Sequence, residues 1–306
     1  HWQSPQGAQI YLMQSQQLPI FDIRIDWDAG SRREEQGKTG TASALAAMLD
    51  KGVAAHQGAR ALDENALADA WADLAAQVSA SADEDRFSVS LRVLSEPEIL
   101  QPAIALLARQ IGQPSLPAPV WQREQAKSIA ALAEAQTRPP FVAQTVYTHA
   151  VYGQHPYGLT PNATSLKAIQ AADLRQFQQQ YLTACGARIS MVGAVERAQA
   201  ETIAQQLLAA LPQTCRSLPK VAKVADSAAK QKRITMPAAQ SQVLLGQIAI
   251  ARNDPDFFAF LVGNHILGGG GFASLLMQKV REDHGLVYGI DSDFAPQRDR
   301  GAFTIA

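Results

Sequence analysis

Between residues 19 and 28 the side chains alternate without a break: Phe21, Ile23, Ile25 and Trp27 fall on one side, Asp22, Arg24, Asp26 and Asp28 on the other. Successive side chains leave a pleated backbone in opposite directions, so this period of two specifies a strand with one buried and one wetted face. Phe87, Val89, Leu91 and Val93 repeat the pattern. Gln9 to Met13 precedes the first strand and reads with it as a hairpin leading into a helix at Gly40. Asp63-Glu64-Asn65 opens an amphipathic helix through Leu67, Trp71, Leu74 and Val78, and further helices are expected at about 96–110, 117–136 and 140–151. Ser165 to Tyr181 reads as one helix, Ile189 to Val192 as a short strand ending at Gly193, and about 196–211 as another helix. Strands and helices in this order, without strict β-α-β alternation, predict an α+β fold.

From Leu211-Pro212 to about Ala238 the chain is polar and weakly periodic, with Pro219, Lys220, Lys223, Lys230 and Lys232, and reads as a linker. A strand at about 242–250, a helix begun by Asn253-Asp254-Pro255-Asp256, the run Leu267-Gly268-Gly269-Gly270-Gly271, another helix and Leu286-Val287-Tyr288 then restart a similar order. The chain stops inside a strand, Ala302 to Ala306, so the second part is expected to be incomplete. The expected organisation is a first domain over 1–216, a linker over 217–238 and a second domain over 239–306. The 306 residues fit about two domains.

Charge bounds the partners. Lys+Arg 27 against Asp+Glu 28 gives a net charge of −1, with no basic stripe, which disfavours nucleic acid and anionic membranes. No apolar run approaches the roughly 20 residues of a membrane span. Two cysteines, Cys185 and Cys215, make no disulfide framework or metal cluster. They read better as two unrelated thiols, although an oxidising compartment would allow one bridge. His155, in His-Pro-Tyr-Gly, reads as a turn residue, since no other histidine shows ligand spacing with it. A start at His1-Trp2, without methionine, fits either a removed signal peptide or a trimmed chain.

Gly40 to Gly52 carries Ala42, Leu45, Met48 and Leu49 at three- and four-residue spacing, a short buried helix closed by Gly52. Upstream stand Asp28-Ala29-Gly30-Ser31-Arg32 with Glu34 and Glu35, and this order resembles the M16 (pitrilysin-like, inverted zincin) peptidases. His-Pro-Tyr-Gly at 155–158 and the strand ending at Gly193 extend the resemblance over a whole domain. So does the later run of Leu267 to Gly271, Ser274 to Leu276, Arg281-Glu282, Gly285-Leu286 and Tyr288. The resemblance implies M16 (LuxS/MPP-like) domains, each an antiparallel-rich sheet packed with helices, repeated twice.

In that family the helix carries His-x-x-Glu-His: two zinc ligands four residues apart with a general base between them. Registered on Met48, Lys51 and Gly52, the three positions fall at Ser43, Ala46 and Ala47, and the glutamate ligand of the following segment falls at Ala131. Glu124 lies too early to replace it. The resemblance therefore implies neither catalytic nor metal-ligating residues here. It assigns substrate binding to Arg281 and Tyr288, a guanidinium fork and a phenol able to hold an extended peptide.

The four glycines admit three readings: a phosphate cradle, which the missing Gly-Lys-Ser/Thr disfavours, a close-packed turn, or a short counterpart of the glycine-rich loop of non-catalytic processing-peptidase subunits. The function expected is a non-catalytic, peptide-binding subunit, inactive alone, that closes the substrate chamber for a catalytic M16 partner carrying His-x-x-Glu-His and zinc. The alternative is a purely structural assembly protein. Members of such pairs are often exported, which implies the periplasm, with the cytoplasm as the alternative.

Overall fold

The computed structural model describes residues 1–56 and 58–306. The chain forms two compact units, residues 1–129 with 161–219, and residues 130–160 with 220–306. In chain order the first stretch comprises β1 (Trp2–Gln3), β2 (Gln9–Gln14), β3 (Ile20–Trp27), α1 (Thr41–Met48), β4 (Gly52–Val53), β5 (Leu62–Asp63), α2 (Glu64–Asp73), β6 (Gln77–Ala82), β7 (Phe87–Leu94), α3 (Pro97–Gly112) and α4 (Ala118–Ala135). Then follow α5 (Pro139–Tyr152), α6 (Ala163–Ala168), α7 (Ala171–Tyr181), β8 (Arg188–Gly193), α8 (Arg197–Ala210), β9 (Leu245–Ile248), α9 (Phe257–Asn264), β10 (Ser292–Ala295) and β11 (Ala302–Ile305). The fold is α+β, as the sequence pattern and the family resemblance imply.

The first unit is built on a six-stranded sheet of order β1-β2-β8-β3-β7-β6. All its pairings are antiparallel except β2 with β8. Phe21, Ile23, Ile25 and Trp27 of β3 are buried together with Phe87, Val89, Leu91 and Val93 of β7. On the wetted face Asp22 meets Arg92 across the strands at 2.7 Å. Trp27 satisfies its buried indole by donating to the Thr183 carbonyl at 3.0 Å.

The expected hairpin between residues 9–13 and 19–28 does not form. β8 lies between β2 and β3, with Ile189 opposite both Ile10 and Ile25. The reason is apolar area: Ile10 is the one residue of β2 that is buried and Met13 is 68% exposed, so β2 suits a position toward the sheet edge. Ile189 and Met191, both buried, supply the stripe that the centre requires.

Two helix boundaries also differ from expectation. α2 stops at Asp73 because Ala75 adopts a left-handed φ of 47°, and Ala75 N–H and Ala76 N–H bond back to the carbonyls of Ala72 and Trp71. Val78 therefore belongs to β6. The single helix expected over Ser165 to Tyr181 is broken at Ile169, whose carbonyl is taken by Trp121 Nε1 and Gln125 Nε2, both at 2.9 Å. Asp173 restarts the helix as α7 by accepting the Gln170 N–H at 2.7 Å.

Cys185 and Cys215 are joined as a disulfide, their Cα atoms 6.0 Å apart, so they are not the two unrelated thiols expected. Cysteine count and spacing carry no record of this pairing. It arises because the segment leaving α8 runs back beside the one entering β8, where Ala184 N–H bonds to the Pro212 carbonyl at 2.9 Å.

The second unit holds α5 and a three-stranded antiparallel sheet of order β10-β11-β9. Its core clusters are small: Val151, Tyr157, Val224, Ile248 and Ala302 in one, Ala249, Phe257 and Phe294 in the other. Much of α9 faces solvent, with Phe258 at 74% and Val262 at 60% exposure. Residues 212–236 have no helix or strand. No helix among the described residues is long and apolar enough to cross a membrane.

Candidate functional site

α1 begins at Gly40, whose φ of 110° lets the chain turn into the helix, and buries Ala42, Ala44, Leu45, Ala46 and Met48. Ser43 and Ala47, one turn apart, are exposed, while Ala46 between them is buried. The N-terminal N–H groups are met by a carboxylate: Glu34 accepts from Gly40 N and Ala42 N, each at 2.8 Å. Sequence reading registered Glu34 as part of a motif and missed this role. An acidic residue shortly before a glycine-led helix was the available signal.

Burial pushes the Glu34 carboxyl up to about 7, against the opposing pull of the Ala42 and Gly40 N–H groups. The folded protein thus holds this proton to near neutrality, while the unfolded chain releases it in the ordinary carboxylate range. The contribution to stability is complete below that range and is lost as pH rises through about 7. That loss is on the order of 3 kcal/mol. Glu34→Gln is expected to flatten the stability profile between the carboxylate range and neutrality, read by urea unfolding at stepped pH. A slope that survives the substitution assigns the proton elsewhere.

The second unit brings Arg281 and Tyr288 together. The Arg281 guanidinium carbon stands 5.5 Å from the Tyr288 ring centroid and 5.0 Å from that of Phe272. Tyr288 is 88% exposed and lies outside any strand. Arg281 lies near the end of a π-helical turn, Met277–Asp283. Phe272 could not be placed here from sequence, because one apolar residue after four glycines carries no periodic signal.

Gly268 packs closely in this region: a Cβ there would lie 2.4 Å from the Ser292 backbone nitrogen. That supports the close-packed-turn reading for this glycine. His155 spends both ring nitrogens locally, Nδ1 accepting from Tyr157 N at 3.1 Å and Nε2 bonding to the Ala222 carbonyl at 2.9 Å.

Residues 168–306 match the family model described as peptidase M16 inactive domain. A solved Pseudomonas fluorescens structure, described as a peptidase M16 inactive domain, is 35% identical; the match covers 99% of this chain and 72% of that one, with a TM-score of 0.94. The chain belongs to the M16 peptidase family. The fold is shared with a Helicobacter pylori protease at 17% identity and TM-score 0.86, covering 99% of this chain and 73% of that one. It is shared also with pitrilysin at 19% identity and TM-score 0.71, covering 98% of this chain and 32% of that one. No curated protein matches the sequence.

In the register that the resemblance implies, the zinc-ligand positions carry a serine hydroxyl at Ser43 and methyl groups at Ala47 and Ala131, and the general-base position between the first two carries the methyl group of Ala46. Such a donor set does not fit a catalytic zinc ion, which needs three nitrogen or carboxylate ligands. Glu124 is committed elsewhere, to Arg123 at 2.7 Å and Lys127 at 3.0 Å, and these cations hold its carboxyl below the usual range. Among the described residues no three His, Cys, Asp or Glu side chains gather as a metal site would require.

Proposed function

We propose that this M16 protein is the non-catalytic, peptide-binding subunit of a heteromeric zinc metallopeptidase, closing the substrate chamber for a partner that carries His-x-x-Glu-His. The observation that carries this reading is the division between its two motifs. α1 is formed and capped but carries Ser43, Ala46 and Ala47, whereas Arg281 and Tyr288 meet at 5.5 Å with the phenol in solvent. Zinc and proteolysis then come from the partner, and this chain supplies grip on the peptide through the guanidinium fork and the phenol. The exposed apolar residues of α9 support association with a further polypeptide surface. The disulfide between Cys185 and Cys215 supports an oxidising compartment, in keeping with the periplasm. The match of residues 168–306 to a domain described as inactive supports the non-catalytic assignment.

The test is zinc content and peptidase turnover of the purified chain, alone and mixed with the M16 protein encoded nearest to it. The expected result is no zinc and no turnover alone, and turnover on mixing that a chelator abolishes. Stoichiometric zinc with turnover by the chain alone overturns the reading. In the mixed pair, Arg281→Ala is expected to lower kcat/KM by about tenfold to a hundredfold, the range of a lost charge-assisted hydrogen bond, and Tyr288→Phe by about fivefold. Unchanged kcat/KM in both variants removes the substrate-binding role. If the partner alone turns over peptide as well as the mixed pair does, this chain's role is assembly.

A further inference from the structure

Phe272 stands in an arrangement that packing alone does not explain. It is 72% exposed, so it contributes little to the core of its unit. It is presented by a three-residue turn, Gly271–Ala273, which Gly271 enters with a left-handed φ of 61°. The turn is anchored behind it: Ser274 N–H returns to the Gly271 carbonyl at 3.0 Å, and the Ser274 hydroxyl accepts from Met277 N at 3.4 Å. Ser274 and Met277 are both buried. Met277 then opens the helical turn that carries Arg281. The ring and the guanidinium are thus fixed by one short anchored segment, at 5.0 Å from each other.

A free arginine side chain samples many rotamers, and binding would otherwise have to overcome the entropy of fixing one of them. Ring faces within about 6 Å of a guanidinium attract it while leaving its edge N–H groups free to donate. Arg281 has two such rings, Phe272 and Tyr288. Among the described residues no carboxylate pairs with it, and Asp283, two residues on, is taken by Lys279 at 2.7 Å. The edge donors therefore remain available to an acceptor from outside.

We propose that Phe272 is a positioning residue: with Tyr288 it holds the Arg281 guanidinium on aromatic faces so that its N–H edge meets a backbone carbonyl or terminal carboxylate of an extended peptide. This rests on the peptide-binding reading of Arg281 given above. It adds a residue outside the Arg281–Tyr288 pair and assigns it to holding the fork rather than touching the reacting atoms.

The experiment uses the full chain mixed with its zinc-bearing M16 partner and a fluorogenic peptide, with Phe272→Ala, Phe272→Trp and Arg281→Ala compared by their separate kcat and KM values. Expected is a rise in KM of about threefold to fivefold for Phe272→Ala, at unchanged kcat and unchanged thermal midpoint, with Phe272→Trp restoring KM because indole is the stronger partner for a cation. A KM unmoved by Phe272→Ala while Arg281→Ala raises it overturns the positioning role alone. A KM unmoved by Arg281→Ala overturns the peptide-binding reading and the positioning role with it.

Discussion

Gly193→Ala is expected to lower the unfolding free energy by about 3–5 kcal/mol, a large part of the total for a domain of ordinary stability. Gly193 closes β8 with a φ of 141°, where an L side chain is strained. A Cβ built there would lie 2.1 Å from the Ile20 carbonyl oxygen and 2.9 Å from the Phe21 Cα. Both are backbone atoms of the neighbouring strand, so no side chain can swing aside. The clash also reaches the far edge of β8, because Gly193 is paired with Gln14 of β2 as well as Phe21 of β3, and its carbonyl accepts from Ser15 N at 2.9 Å. Gly37→Ala is the control: φ is 84° but nothing lies within 4 Å of the built Cβ, so only backbone strain of about 1 kcal/mol is expected. Denaturant unfolding followed by far-UV circular dichroism compares them. Equal losses at the two sites remove the steric explanation.

Reducing the Cys185–Cys215 bridge is expected to cost about 3–4 kcal/mol, the loop-closure value for a separation of 30 residues. The closed loop contains β8 and α8, so the tether holds the central strand of the sheet together with the helix that follows it. Cys215 is exposed and within reach of a soluble reductant. Urea midpoints with and without dithiothreitol give the measurement, and a Cys185→Ser/Cys215→Ser protein fixes its meaning. The variant should match the reduced protein and ignore the reductant. An unmoved midpoint for the parent protein shows that the loop is held by packing alone.

What the sequence disclosed and what it hid divide along a physical line. β3 and β7 were legible because each buries one face and so writes a period of two. α1 was legible because its apolar residues recur at three- and four-residue spacing, but its end was not: the helix stops at Met48 with Leu49 as its cap, and the expected closing residue Gly52 opens β4, paired with Asp63. β6 was not, since its serines and alanines give almost no contrast between faces and Val78 continued the spacing of the helix before it. The insertion of β8 between β2 and β3 leaves no local trace, because strand order is decided by which apolar stripes fit together across more than 150 residues. The disulfide was hidden for the same reason, its two halves meeting only after the sheet is assembled.

At the candidate site, Arg281 and Tyr288 could be named from a motif, and their approach to one another follows from a short intervening turn. Phe272 and the cap made by Glu34 could not be read in the same way. One depends on where an exposed ring points, the other on a carboxylate folding back over six residues.

The position of β8 also fixes an order of events during synthesis. The slot between β2 and β3 cannot be filled until Arg188–Gly193 has emerged, long after both of its neighbours. At ordinary elongation rates of about 5–20 residues per second, those two strands wait roughly ten to thirty seconds with facing hydrogen-bond edges bare. A nascent chain in that condition is a template for pairing with other nascent chains. Closing this sheet therefore removes two open strand edges in a single event, the arrival of Arg188–Gly193.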